Sequence, residues 1–181
     1  MKEDSELIQR FKNGQLEAFE MLVKKYQNTA INIAYSLVNN RQDAEDIAQE
    51  SFIKVYRSID SFKAEAQFSS WLYRIIVNTA YDFLRRKKHI PVCSSDIEYM
   101  SAVDPKGTED PCIKELIRDA FIEIPFEYRS ALVLREIEGL SYEEIAWALK
   151  ISIGTVESRI FRGRTMLKDI LIKKGVFKNE M

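Results

Sequence analysis

Arg159, Arg162 and Arg164 stand among Ser152, Thr155, Glu157, Ser158 and Phe161 near the end of the chain. Guanidinium groups bridge phosphates or bond guanine bidentately, while hydroxyls and an aromatic ring meet base edges and thymine methyls. Each good base contact supplies ~1–3 kcal/mol of discrimination. Glu157 repels phosphate, although a carboxylate accepts from cytosine. The residues just upstream must position this set. Ser141 followed three residues later by Glu144 forms a capping box that starts a short helix. Ile145, Ala146 and Leu149 face inward on it, and the small Ala146 lets a second helix approach. Lys150-Ile151-Ser152 makes a tight turn with an apolar plug, and Ile153, Val156, Ile160 and Leu167 seat the next helix on the first. This is a helix-turn-helix, whose second helix enters a DNA major groove. A basic solvated helix in a bundle is the plainer alternative; box, turn and basic face together favour the motif.

A second set lies on an acidic helix that starts at Asp43. Asp46, Gln49 and Glu50 fall at i, i+3 and i+4, one exposed face suited to a basic partner helix. The carboxylates there also raise the question of a di-metal site. The Glu-x-x-His pattern is missing and the lone His89 sits in the distant basic run 85–89, so no metal and no cofactor is expected. No phosphate-binding glycine loop and no nucleophile–base constellation is present either, which argues against an enzyme and a small-molecule substrate. Cys93 and Cys112 lack helper ligands and read as inert rather than as a redox or metal pair.

The elements that carry these sets are helical. The chain has 181 residues, with 46% hydrophobic and 30% charged, only 6 Gly and 4 Pro, and a net charge of −1. That balance excludes wholesale disorder and a turn-rich sandwich or barrel. No stretch approaches the ~18 apolar residues of a membrane span, the start lacks an apolar signal core, and two cysteines suit a reducing interior. A cytoplasmic protein is expected. Charge is segregated: +2 over 1–90, −4 over 91–112, −4 over 113–149 and +5 over 150–181, which points to a localised anionic partner. Apolar stripes at helical spacing run from Leu16 to Leu37, from Ala44 to Ile59, and from about Ser69 to Leu84. Asn39-Asn40 ends the first stripe, and Pro91 blocks continuation of the third. Residues 91–112 lose periodicity and hold three prolines and mostly acidic charge, an extended linker. Periodicity resumes at Ile113; Pro125 then opens a helix that Gly139 closes. The expected fold is all-α: two small helical bundle domains, 1–90 and 113–181, joined by a flexible acidic linker, the second containing the helix-turn-helix.

These motifs carry a resemblance. Asp43-Ala44-Glu45-Asp46-Ile47-Ala48-Gln49-Glu50-Ser51-Phe52, then Phe68-Ser69-Ser70-Trp71-Leu72-Tyr73-Arg74-Ile75, Asn78, Asp82 and Arg85-Arg86, resemble the N-terminal domain of bacterial RNA polymerase sigma factors. Gly154-Thr155-Val156, Ser158-Arg159 and Arg162-Gly163-Arg164 resemble their C-terminal domain. Two domains with only a short strap between them match the minimal extracytoplasmic-function type.

The resemblance implies a transcription initiation factor that binds core polymerase and directs it to promoters. Residues 1–90 are then the region 2-like domain, 91–112 the linker and 113–181 the region 4-like domain. Asp43, Asp46, Gln49 and Glu50 take the place of the segment that docks on the β′ clamp helices; the β flap is the second expected polymerase contact. Phe62, Lys63 and Ala64 occupy the loop that captures a flipped base of the −10 non-template strand, with Phe62 as stacking face and Lys63 as phosphate partner. Arg74 and Asn78, four apart, complete the pocket, and Arg85 and Arg86 hold upstream duplex phosphates. Ser152, Thr155, Glu157, Ser158, Arg159, Phe161, Arg162 and Arg164 fall on the −35 duplex. Phe68 reads as a loop anchor, Trp71 as core, Trp147 as packed between the C-terminal helices, and Tyr73 as exposed on the pattern. Many factors of this type are held silent by an anti-sigma factor, and such a partner is expected. The acidic linker would thread toward the polymerase channels and mimic nucleic acid. The competing reading is a stand-alone helix-turn-helix regulator with an N-terminal sensing or dimerisation bundle, which would bind duplex DNA unaided.

Overall fold

The structure, a computed structural model, describes residues 2–63, 66–87 and 111–176. Ala64, Cys93 and nearly all of the acidic linker lie outside the described residues. Eight α-helices are present among the described residues, and no strand. They are α1 (Lys2–Lys12), α2 (Leu16–Val38), α3 (Arg41–Ser58), α4 (Phe68–Lys87), α5 (Pro111–Glu123), α6 (Phe126–Leu132), α7 (Tyr142–Leu149) and α8 (Ile153–Lys173). None of them is long and apolar enough to cross a membrane.

Local signals set several of the ends. Asn39 closes α2 in the left-handed region (φ 51°), a conformation its short polar side chain tolerates. Asn40 then caps α3, its side chain accepting from the Asp43 backbone N–H at 2.9 Å. The helix opened by Pro125 continues past Leu132 as a π-helical segment, Val133–Ile137, before the turn at Gly139. Lys150 closes α7 in the left-handed region (φ 55°), and Ser152 caps α8.

Helix α1 has no counterpart in the apolar stripes read from the sequence. Its Leu7 and Ile8 are buried, and Asp4 binds Lys25 at 2.7 Å and the Tyr26 hydroxyl at 2.8 Å on α2. Around α2, α3 and α4 the buried set includes Leu22, Ile33, Leu37, Ile47, Leu72 and Ile76. Ile124, Leu132, Leu134, Ile145 and Ile160 form the corresponding centre among α5 to α8. Each such side chain contributes about 1.5–3 kcal/mol on burial. Within the helix-turn-helix, Ala148 rather than Ala146 is the fully enclosed small residue of α7. The close approach of α8 is made instead at Gly163, where an added Cβ would lie 2.9 Å from Leu132 Cδ1 on α6.

The two bundles lie against each other. Helix α4 packs on α7, and α2 packs on α5 and on the π-helical segment.

Candidate nucleic-acid interface

The capping box is formed: the Glu144 N–H donates to Ser141 Oγ at 3.2 Å, and the Ser141 N–H donates to Glu144 Oε2 at 2.9 Å. It fixes the start of α7 and thereby the turn into α8. On α8, Val156, Ile160, Gly163 and Leu171 face inward. The opposite face exposes Glu157, Ser158, Phe161 and Arg162, with Phe161 73% exposed. Arg162 has no ion-pair partner among the described residues. The other two arginines differ. Arg164 donates to Glu136 at 2.6 and 3.0 Å, and Arg159 lies 3.8 Å from Glu127. Ser152 and Thr155 are also engaged: their hydroxyls lie 2.8 Å apart, and Ser152 Oγ accepts the Thr155 N–H at 3.2 Å. The free recognition face is therefore narrower than residue types alone suggest.

The N-terminal sites divide similarly. Asp46 and Gln49 are exposed and border an open groove of about 610 Å³ between α2 and α3, whose apolar walls include Val23, Ile31, Phe52 and Ile53. Asp43 and Glu50 point elsewhere. Asp43 pairs with Lys87 at 2.6 Å; Glu50 pairs with Lys54 at 3.0 Å and Arg86 at 3.3 Å. The Lys54 hydrogen bond, followed by Arg86, holds the Glu50 carboxyl below its usual range. The expected single exposed face of Asp46, Gln49 and Glu50 is thus split, because Lys54 and the basic end of α4 both engage Glu50.

In the loop ahead of α4, Phe62 is no free stacking platform. Its ring packs on Trp71 at 5.1 Å and Phe68 at 6.0 Å, and Phe68 in turn meets Tyr26 at 5.4 Å. Phe68 is the buried anchor, while Lys63 is exposed. Lys12, missed in the sequence, reaches from α1 to donate to the Phe62 carbonyl at 3.0 Å and the Asp60 carbonyl at 3.4 Å. On α4, Asn78, Arg85 and Arg86 are exposed. The Arg74 guanidinium sits over the Trp147 ring of α7, 5.0 Å from its centroid. Trp147, packed against the core, therefore also meets the other bundle.

Tyr73 corrects the sequence pattern most sharply. It is buried at 7% exposure, close enough to Glu138 of the other bundle for the two groups to perturb each other. Burial, then the Glu138 charge and hydrogen bond, push the Tyr73 phenol up; burial also raises Glu138, opposed by the bond from Tyr73. Buried Arg129 caps the end of α5, donating to the Ile122 carbonyl at 2.6 Å and the Ile124 carbonyl at 3.3 Å. Burial lowers its pKa to about 10, so it stays protonated at neutral pH.

The chain matches the family models for Sigma-70 region 2 over residues 22–90 and Sigma-70, region 4 over residues 114–167. It is 37% identical to the RNA polymerase sigma-H factor of Pseudomonas aeruginosa, over 94% of each chain. It is 39% identical to the ECF RNA polymerase sigma-E factor of Haemophilus influenzae, over 92% of this chain and 94% of that one. Among solved structures, CnrH in complex with the cytosolic domain of CnrY superposes with a TM-score of 0.72 at 25% identity, over 94% of this chain and 98% of that one. The sigma factor RpoE in complex with the anti-sigma factor NepR from Bartonella quintana gives 0.69 at 25% identity, over 84% and 96%.

Proposed function

Because the chain belongs to the sigma-70 family, and within it to the extracytoplasmic-function type, we propose that its two bundles divide the reading of one promoter between them. As a family member it binds core RNA polymerase and promoter DNA and directs transcription initiation. In our reading residues 1–90 dock on polymerase and capture the melted −10 strand, 91–112 link, and 113–181 read the −35 duplex. The exposed face of α8 supports this division: Arg162 has no ion-pair partner among the described residues and Phe161 stands clear of the core, while Glu157 and Ser158 flank them. Arg159 and Arg164 join after exchanging Glu127 and Glu136 for phosphate. Asp46 and Gln49 at the rim of the α2–α3 groove supply the primary polymerase contact, with Asp43 and Glu50 behind them.

Opening the −10 element draws on binding energy alone. Unstacking a base costs a few kcal/mol, offset when the base enters a fitted pocket. Lys63, Arg74 and Asn78, with Ala64 in the same loop, form that pocket, and Arg85 and Arg86 hold upstream phosphates. The chain contributes no catalytic residue; phosphodiester synthesis is left to the polymerase, in the cytoplasm. CnrH and RpoE were each solved with a protein bound, which supports an anti-sigma partner here as well.

Arg162→Ala and Asn78→Ala test the division. With core polymerase present, Arg162→Ala weakens −35 duplex binding and lowers the slope of log affinity against log salt by about 1 if its partner is a phosphate. Asn78→Ala leaves duplex binding intact and impairs melting, read by permanganate reactivity. Equal loss of duplex binding in both variants overturns the assignment. Tight, specific duplex binding by the chain alone favours the stand-alone regulator.

A further inference from the structure

We infer that Glu157 reads a base: its carboxylate accepts the exocyclic amino group of one cytosine in the −35 duplex and makes that base pair a determinant of promoter choice. This rests on the assignment of α8 to the −35 duplex given above, to which it adds the identity of one base.

Glu157 stands apart from the polar side chains around it. The Ser152 and Thr155 hydroxyls hold each other at 2.8 Å, the Ser158 hydroxyl donates to the Thr155 carbonyl at 2.9 Å, and Arg159 lies 3.8 Å from Glu127. The Glu157 side chain is exposed and has no hydrogen-bond or ion-pair partner among the described residues. Its own helix offers it no cation. The positions three and four residues away, where a helical ion pair would form, hold Ile153, Gly154, Ile160 and Phe161.

Placement decides what such a carboxylate meets. The N-terminal residues of a recognition helix reach base edges, and Glu157 lies in the second turn of α8. A helical side chain leans over the turn that precedes it. That turn carries Gly154, where an added Cβ would find nothing within 4 Å. On that side the backbone can come close to the bases and carry the carboxylate with it.

In the groove an anion loses water and faces phosphates, which is unfavourable unless it accepts a hydrogen bond from a base. Guanine presents O6 and N7 there and thymine O4, all acceptors that repel it. Adenine sets its N7 acceptor beside its amino group, an arrangement suited to the amide of Gln or Asn. Cytosine presents its amino group with no acceptor of its own beside it. A carboxylate, which only accepts, therefore selects cytosine and penalises the other three bases.

The test uses the complete chain bound to core polymerase. Selection from a duplex library randomised across the −35 region should give the wild type one position fixed as cytosine on one strand. In Glu157→Gln that position alone should change, from cytosine to adenine. In Glu157→Ala it should become unspecified while the others stay as they were. Replacing that cytosine by pyrimidin-2-one, which lacks the amino group, should weaken wild-type binding about tenfold. The Glu157→Ala complex should bind both duplexes equally. Far-UV circular dichroism and co-elution with core polymerase check fold and assembly. Identical selected sequences for the wild type and Glu157→Gln overturn the proposal, as does a Glu157-dependent position that is not cytosine. Loss of co-elution in Glu157→Gln overturns it too, since the residue would then face the polymerase. If Arg162→Ala also leaves duplex affinity and selected sequences untouched, it is the −35 assignment of α8 that fails.

Discussion

Lys12 does at the scale of one residue what the loop ahead of α4 cannot do for itself. The loop leaves a short 3₁₀ turn at Ile59–Ser61, and the Lys12 ammonium binds the Asp60 carbonyl of that turn and the Phe62 carbonyl just after it. A charged donor to a carbonyl contributes about 1.5–3 kcal/mol when shielded from water, and the shorter of these bonds is only partly shielded. Lys12→Met should therefore destabilise the chain by about 1 kcal/mol, read as a lower thermal midpoint. It should also slow promoter melting by the polymerase complex without changing −35 duplex binding. Lys12→Arg, which retains a donor, should restore melting; a variant that loses stability but melts promoters normally would leave Lys12 a merely structural tie. Single residues also mark where sequence reading stopped short. Periodicity on α4 puts Tyr73 on an outward face, yet it is buried. Glu138, which acts on it, is distant in sequence, and no spacing within one helix can register it. The contact of Trp147 with Arg74 is hidden for the same reason, since Arg74 belongs to the other bundle.

Helices whose signals are local were legible. The capping box at Ser141 and Glu144, the Asn39–Asn40 break and the basic end of α4 each follow from a few adjacent residues. Helix α1 was not, because Leu7, Ile8 and Phe11 are its main apolar residues in an otherwise polar run and too few to make a stripe. The junction of α6 and α8 shows a different blindness. Gly163 in the middle of a basic helix reads as a weakness, since glycine costs about 1 kcal/mol there relative to alanine. Leu132, fully buried, has its Cδ1 only 2.9 Å from where a Cβ would be. Gly163→Leu should consequently force α8 off α6, with a loss of more than the ~1–3 kcal/mol typical of overpacking. The measurement is thermal unfolding followed by duplex binding, and both should fall together. A variant as stable as the wild type would show that α6 and α8 yield more easily than their contact suggests.

For the whole molecule, the closed arrangement of the two bundles carries its own proton dependence. Glu138 is raised by burial, with the Tyr73 hydroxyl as its hydrogen-bond partner and opposing influence; Tyr26 and Asp4 act on Tyr73 from α2 and α1. A carboxyl with a raised pKa holds its proton more tightly in the closed form than when exposed. Closure is therefore strengthened as pH falls from that raised value toward the ordinary carboxylate range, and weakened as pH rises through it. The radius of gyration should increase with pH across that window in the wild type and stay flat in Glu138→Gln. A wild-type radius indifferent to pH would exclude Glu138 as a contributor.

The strapping of the end of α4 to α3 has an electrolyte consequence. Arg86 and Lys87 already own carboxylate counterions in Glu50 and Asp43. When they turn to a phosphate, the vacated carboxylates must recruit sodium or potassium from solution while the DNA sheds its own. Net ion release is then smaller than a tally of basic side chains implies, and binding upstream duplex should tolerate added salt better than so basic a stretch would otherwise allow.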